Sequence, residues 1–174
     1  MKLWFMKSEE TDEKIRSEFG YLVERALTGD LAHWEATPSG TVALVVLLDQ
    51  FTRNIFRGNP KSFAGDTLCL QISKRAVAKG FDMEVGFFMR SFLYLPFEHS
   101  ESKEDQTKSV KLFTRLRDDA PVEFVKPAAS TLDYAIRHKA VIDRFGRYPH
   151  RNKVLGREST TEEIEFLKQP GSSF

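Results

Sequence analysis

Glu98 and His99 stand side by side just after Pro96, and with His138 and His150 they are the residues of this chain best suited to moving protons. An imidazole changes charge near neutral pH, and a carboxylate beside it can orient it or share its proton. The same residue types ligate metals. However, Phe97-Glu98-His99-Ser100-Glu101 has neither the His-Glu-x-x-His spacing of a zinc protease nor the Glu-x-x-His spacing of a di-iron bundle, so neither a metal nor any other cofactor is assigned from spacing. A structural reading stands beside the catalytic one, in which Glu98 caps a helix and pairs with a distant arginine. His138 lies four residues after Tyr134, on the same helical face, flanked by Arg137, Lys139 and Asp143. It reads either as a packed histidine or as a third acid–base candidate.

The basic residues are concentrated in Arg144-Phe-Gly-Arg-Tyr-Pro-His-Arg-Asn152 and Leu155-Gly-Arg-Glu-Ser159. Arg144, Arg147, Arg151, Asn152 and Arg157 are grouped there around the turn residues Gly146, Pro149 and Gly156. Guanidinium forks hold carboxylates and phosphates through two parallel bonds. The segment therefore suggests a shaped cationic recess for a small anionic ligand or an acidic peptide. The alternative is an arginine-rich turn tied down by acids of neighbouring helices. Asp49-Gln50 with Arg53-Asn54 and Arg57 forms a further polar group, in which Asp49 and Arg53 are four apart and can pair on one helical face. That group reads as a structural salt bridge or as a second set of ligand contacts.

Composition limits the partners. The 174 residues carry a formal net charge of +1, which argues against an extended nucleic-acid surface. Phe145 and Tyr148 among arginines resemble single-stranded RNA contacts only locally. Charge is unevenly spread: residues 8–35 hold eight acids against three bases, and residues 137–158 hold seven bases against two acids. The lone cysteine, Cys69, lies among Leu68, Leu70 and Ile72 and reads as a small buried hydrophobe of a reducing compartment. The opening Met1-Lys-Leu-Trp-Phe-Met6 is short for a signal peptide, and no run approaches the ~18 apolar residues of a membrane span. The expectation is a cytoplasmic protein. Nucleophile elbows, phosphate-binding glycine loops and dinucleotide fingerprints are missing from the sequence.

The elements that must position these residues read as helices throughout. Ile15, Phe19, Leu22, Val23 and Ala26 recur at helical spacing before Gly29, and Thr37-Pro38 starts the next helix. Val42 to Phe51 could be a buried strand, but the run continues without alternation to Ile55, which favours a helix. Asp66 is expected to cap a helix ending at Gly80, and Pro96 to kink or end the one from Phe87. Ser102 to Arg117 forms another. Pro121 and Lys126-Pro127 should break the chain before a long helix closed by Gly146, and Ser159-Thr-Thr-Glu162 has the form of a capping box for a short last helix. About seven helices in antiparallel array, over a single domain of residues 1–174, make an all-α protein.

Five boxes together carry a resemblance. They are Leu47-Leu-Asp-Gln-Phe-Thr-Arg-Asn-Ile-Phe-Arg57, Phe92-Leu-Tyr-Leu-Pro-Phe-Glu-His-Ser100, the two basic stretches above, and Pro170-Gly-Ser-Ser-Phe174. In this order they resemble the bacterial family named domain of unknown function 924, which implies a tetratricopeptide-like helical fold and brings no established activity. Family members usually begin with a further aromatic-rich segment before the stretch matching Leu3-Trp-Phe-Met-Lys7, and Thr52 stands where a proline is common, a mild change on a helix face. The functional expectation is a recess formed where separate helix ends converge. It would bind a small anion, with His99, His138 or His150 as general base for hydrolytic or transfer chemistry. The alternative is a helical module that binds a protein or peptide without catalysis.

Overall fold

The computed structural model describes residues 8–173, and every regular element among them is helical. Their contacts fall into two compact units, one up to Phe97 and one from Glu98 onward. The readings made on Met1–Lys7 and Phe174 lie outside the described residues. No described helix is long and apolar enough to cross a membrane.

In the first unit, α1 (Glu9–Thr28) starts at Ser8, whose hydroxyl accepts from the Thr11 amide at 3.2 Å, and stops at Gly29 with φ 85°. Acids at Glu9, Glu10 and Asp12 face the positive end of the helix dipole. Thr37 caps α2 (Pro38–Val45) with Pro38 in its first turn, as the sequence predicts. The apolar run then continues as a helix, with one departure. Val46–Phe51 winds as a wider π-helical turn before α3 (Thr52–Ile55). Such turns arise where an extra residue is accommodated without breaking the helix. Thr52 is fully buried, and its hydroxyl donates to the carbonyls of Leu48 at 2.8 Å and Asp49 at 3.2 Å.

The next helix, α4 (Asp66–Lys79), begins differently from expectation. Gly65 occupies the cap position and Asp66 is the first helical residue. A Cβ on Gly65 would lie 2.3 Å from the Leu48 carbonyl oxygen, so only glycine allows this close approach. Phe81–Glu84 forms the short α5, and α6 (Phe87–His99) continues past Pro96. The proline neither ends nor breaks it, so Glu98 and His99 lie in its last turn rather than in a loop.

In the second unit, α7 (Lys103–Asp118) and α8 (Val125–Phe145) pack along each other, joined by the short 119–124 connection. Pro127, expected to break the chain, sits in the first turn of α8, where its missing amide would have had no helical partner. Gly146, at φ 70°, ends α8. The capping box of α9 (Thr161–Leu167) is one residue later than predicted, formed by Thr160 with Glu163. Val141, Ile142 and Tyr148 form a core against which Phe145 and Phe166 pack.

Candidate functional site

The four residues expected to be catalytic all belong to the second unit. Glu98 and His138 are each 4% exposed and His99 is half-buried. One donor atom from each of these three lies within 4.8 Å of the others. The rings continue the group: His99 and His138 have centroids 6.2 Å apart, His138 meets Tyr148 edge-on at 5.6 Å, and Tyr148 lies 5.5 Å from His150. His150 thus joins the group across Tyr148 and is not one of the three clustered donors.

The tautomer of His138 follows from its neighbours. Its Nδ1 is 2.9 Å from the Tyr134 carbonyl oxygen and 3.3 Å from Glu98 Oε1. Two oxygen acceptors at one nitrogen place the proton on Nδ1 and the lone pair on Nε2. Burial, reinforced by His99, pushes its pKa down to about 3, so the ring is neutral at pH 7 and its contact with Glu98 is not an ion pair. A neutral imidazole with a fixed tautomer can accept a proton or bind a Lewis acid at Nε2.

What holds this cluster is the end of α6. The Glu98 carbonyl, left without a helical donor, accepts from the Tyr148 hydroxyl at 2.5 Å and from Gln106 Nε2 at 2.6 Å. Gln106 also donates to the Ser100 carbonyl at 2.7 Å. Removal from water raises the pKa of Tyr148, so it remains a hydroxyl donor. Neither Tyr148 nor Gln106 was expected among the site residues. Gln106 could have been noticed, since it lies four and seven residues before Val110 and Phe113 on the apolar stripe of α7, an odd place for an amide.

The basic stretch is mostly matched by acids. Arg147 grips Glu163 with two bonds of 2.7 and 2.8 Å and also donates to the Glu158 carbonyl. Arg157 spans both oxygens of Glu101 at 2.7 and 3.0 Å, and its Nε donates to Asn152. Asn152 in turn donates to Glu163 at 3.2 Å. This chain of bonds from Glu101 to Arg147 fixes the loop that presents Tyr148. Bonds from Arg147 bring Glu163 down to a pKa of about 2. Burial acts to raise the pKa of Glu101, but Arg157 and the Tyr148 amide outweigh it and lower the value. Arg144 pairs with Glu162 at 2.8 Å and lines a cavity of about 230 Å³ with Arg137, Val141 and Phe166, which contains none of the histidines. Arg151 is 7% exposed, with its guanidinium carbon 4.5 Å from the Tyr148 ring centre, and its charge is felt at His138.

Asp49, Gln50, Arg53, Asn54 and Arg57 belong to the first unit and are engaged there. Arg53 lies 3.0 Å from carboxylate oxygens of both Asp49 and Asp66 and donates to the Asp49 carbonyl. Gln50 donates to Asp49, whereas Asn54 and Arg57 both hold Asp12. The predicted pairing of Asp49 with Arg53 is therefore present, with Asp66 as an additional partner that spacing could not supply.

A family profile described as bacterial protein of unknown function, DUF924, matches residues 1–171. The chain belongs to this family. Its fold is similar to a solved protein of unknown function from Agrobacterium tumefaciens, with TM-score 0.84 and 34% identity over 95% of this chain and 88% of the other. No curated protein matches this DUF924 chain.

Proposed function

We propose that the second unit binds a small anionic molecule at Glu98, His99, His138, His150 and Arg151, and that His138 accepts or returns a proton there. The observation that carries this reading is the state of His138: buried, neutral, and held through Nδ1 so that Nε2 keeps its lone pair. The Nε2 lone pair is what a general base in hydrolytic or group-transfer chemistry on a phosphate or carboxylate derivative needs, and an anion beside the ring would raise the imidazole pKa from its low buried value toward the working pH. Arg151 supplies the positive charge that attracts the anion and stabilises charge developing on it. Arg144, Arg147 and Arg157 act on the ligand indirectly, by fixing the loop around Tyr148 and Arg151. The lone, fully buried Cys69, whose pKa burial raises, suits a reducing compartment such as the cytoplasm.

The test is a titration with phosphate monoesters and small carboxylates, followed through the imidazole resonances of the full chain. One of these classes should saturate while shifting His99 and His138, and Arg151→Gln should weaken it about tenfold. Equal binding by Arg151→Gln, or no shift at either histidine with any member of the panel, overturns the reading.

A further inference from the structure

We propose that Glu98, His99 and His138 bind a divalent transition-metal ion of the zinc type. This goes beyond the anion reading and stands on the donor arrangement alone. The three side chains come from two helices of one unit, and their donor atoms already lie within 4.8 Å of one another. Bonds of about 2.0–2.2 Å in a tetrahedral site bring donors to about 3.3 Å apart. The remaining contraction is on the order of 1.5 Å, within the range of a side-chain torsion at the half-buried His99.

The outer contacts suit the same role. Histidines that bind metal usually donate their other ring N–H to a carbonyl or carboxylate, which orients the ring. His138 does so toward the Tyr134 carbonyl at 2.9 Å, and the Glu98 carboxylate, whose Oε1 lies 3.3 Å from the same nitrogen, would turn from Nδ1 toward the Nε2 side to bind the ion. The backbone under Glu98 is anchored in turn by Tyr148 and Gln106. A ligand pair based on α6 is thereby held still while α8 supplies the third donor.

The donor types choose the ion. Two imidazoles and one carboxylate favour zinc, cobalt or nickel over magnesium or calcium, which prefer all-oxygen shells. Arg151, lying over Tyr148 and sensed at His138, repels a cation that binds through charge alone. A metal bonded to nitrogen tolerates that repulsion better, and the charge of Glu98 offsets it. Three protein donors leave a fourth position open. At that position the metal and an anion can meet.

The experiment uses the full chain after chelator treatment and dialysis. Calorimetric titration with zinc should give one site per chain, and cobalt should give the visible bands of a low-symmetry, nitrogen-ligated ion. Zinc should shift the imidazole resonances of His99 and His138 but not of His33. His99→Ala and Glu98→Gln should each weaken zinc binding about 100-fold or more, beyond the 10–100-fold typical of lost outer contacts, while His33→Ala leaves it unchanged. Zinc that binds without shifting His99 and His138, or equally well to His99→Ala, overturns the proposal, as does a lack of zinc binding. The resonance measurement on the unaltered chain decides the matter if a variant fails to fold. Repeating the anion titration on metal-free protein separates the two readings. Anion binding there without any zinc site sinks only the metal proposal, and zinc binding without anion binding sinks only the anion reading.

Discussion

Two buried polar centres, one in each unit, handle charge in opposite ways. Around Asp49, the charges are permanent and are satisfied in place: Arg53 contacts two carboxylates and a backbone carbonyl, and Arg57 with Asn54 closes on Asp12. Around His138, the central group is a neutral imidazole whose lone pair is directed by the bond at its other nitrogen. A saturated ion-pair network gains rigidity and offers little to a ligand. An imidazole next to a buried carboxylate is a weaker brace and a better reagent. The π-helical turn illustrates the difference, because its widened geometry, often a mark of function, here serves to bury Asp49 and Gln50 where Arg53 can reach them.

The contrast predicts its largest effect in the first unit. Arg53→Met should strand Asp49, which is 1% exposed, beside Asp66 and without its guanidinium partner. Breaking a buried ion pair from one side costs about 3–5 kcal/mol, and urea unfolding should show a loss of that size. A loss below about 1 kcal/mol, the range of exposed pairs, would mean that the Asp49 centre is no brace and would remove one side of the comparison.

Glu163 offers an intermediate case, because the second unit also contains a saturated network. Its carboxylate receives Arg147, Asn152 and the Thr160 amide, completing the box that starts α9. Glu163→Ala should cost about 2 kcal/mol through the lost cap and charge-assisted bonds. The pH dependence has a definite sign. The folded pKa of about 2 lies below the ordinary glutamate value of 4.5, so the folded state binds the proton less readily than the unfolded chain. The stabilisation is complete above about pH 4.5 and is lost as pH falls toward 2. Urea midpoints collected from pH 6 to pH 2, as approximate limits of the window, should fall more steeply for the unaltered chain than for Glu163→Ala.

Local chemistry explains what was legible in the sequence. Gly29, Thr37-Pro38, Gly80 and Gly146 mark real helix ends because caps and left-handed turns act within a few residues. The prolines mislead for the same reason. Pro96 and Pro127 lack amide donors, but the cost depends on where the turn lies and on what packs over it, and Pro96 is buried. Asp49 with Arg53 was legible because four residues make one helical turn. The acids that neutralise the basic stretch, Glu101, Glu162 and Glu163, are 56, 18 and 16 residues from their arginines, and no spacing rule selects them. Glu98, His99 and His138 were recognised by residue type. Both Glu98 and His99 lie in the last turn of α6, whereas the expectation that Pro96 kinks or ends the helix places them outside it.

The smallest expected effect sharpens the comparison most. His99 is half-buried at the last position of α6, its ring faces His138 at 6.2 Å, and the neighbouring Glu98 carbonyl is held by Tyr148 and Gln106. Its removal should therefore leave the helix end capped and the core filled. His99→Ala is expected to change unfolding stability by no more than about 1 kcal/mol, as for a half-buried side chain whose loss leaves the Tyr148 and Gln106 bonds at the helix end in place. If the histidines form a binding centre, the same variant should lose ligand or metal far out of proportion to that change. Residues selected for function are often neutral or costly to stability, so a slight gain would also fit. A loss of about 3 kcal/mol or more, comparable with Arg53→Met, would instead make His99 a brace like Arg53, and the two centres would then differ in charge but not in purpose.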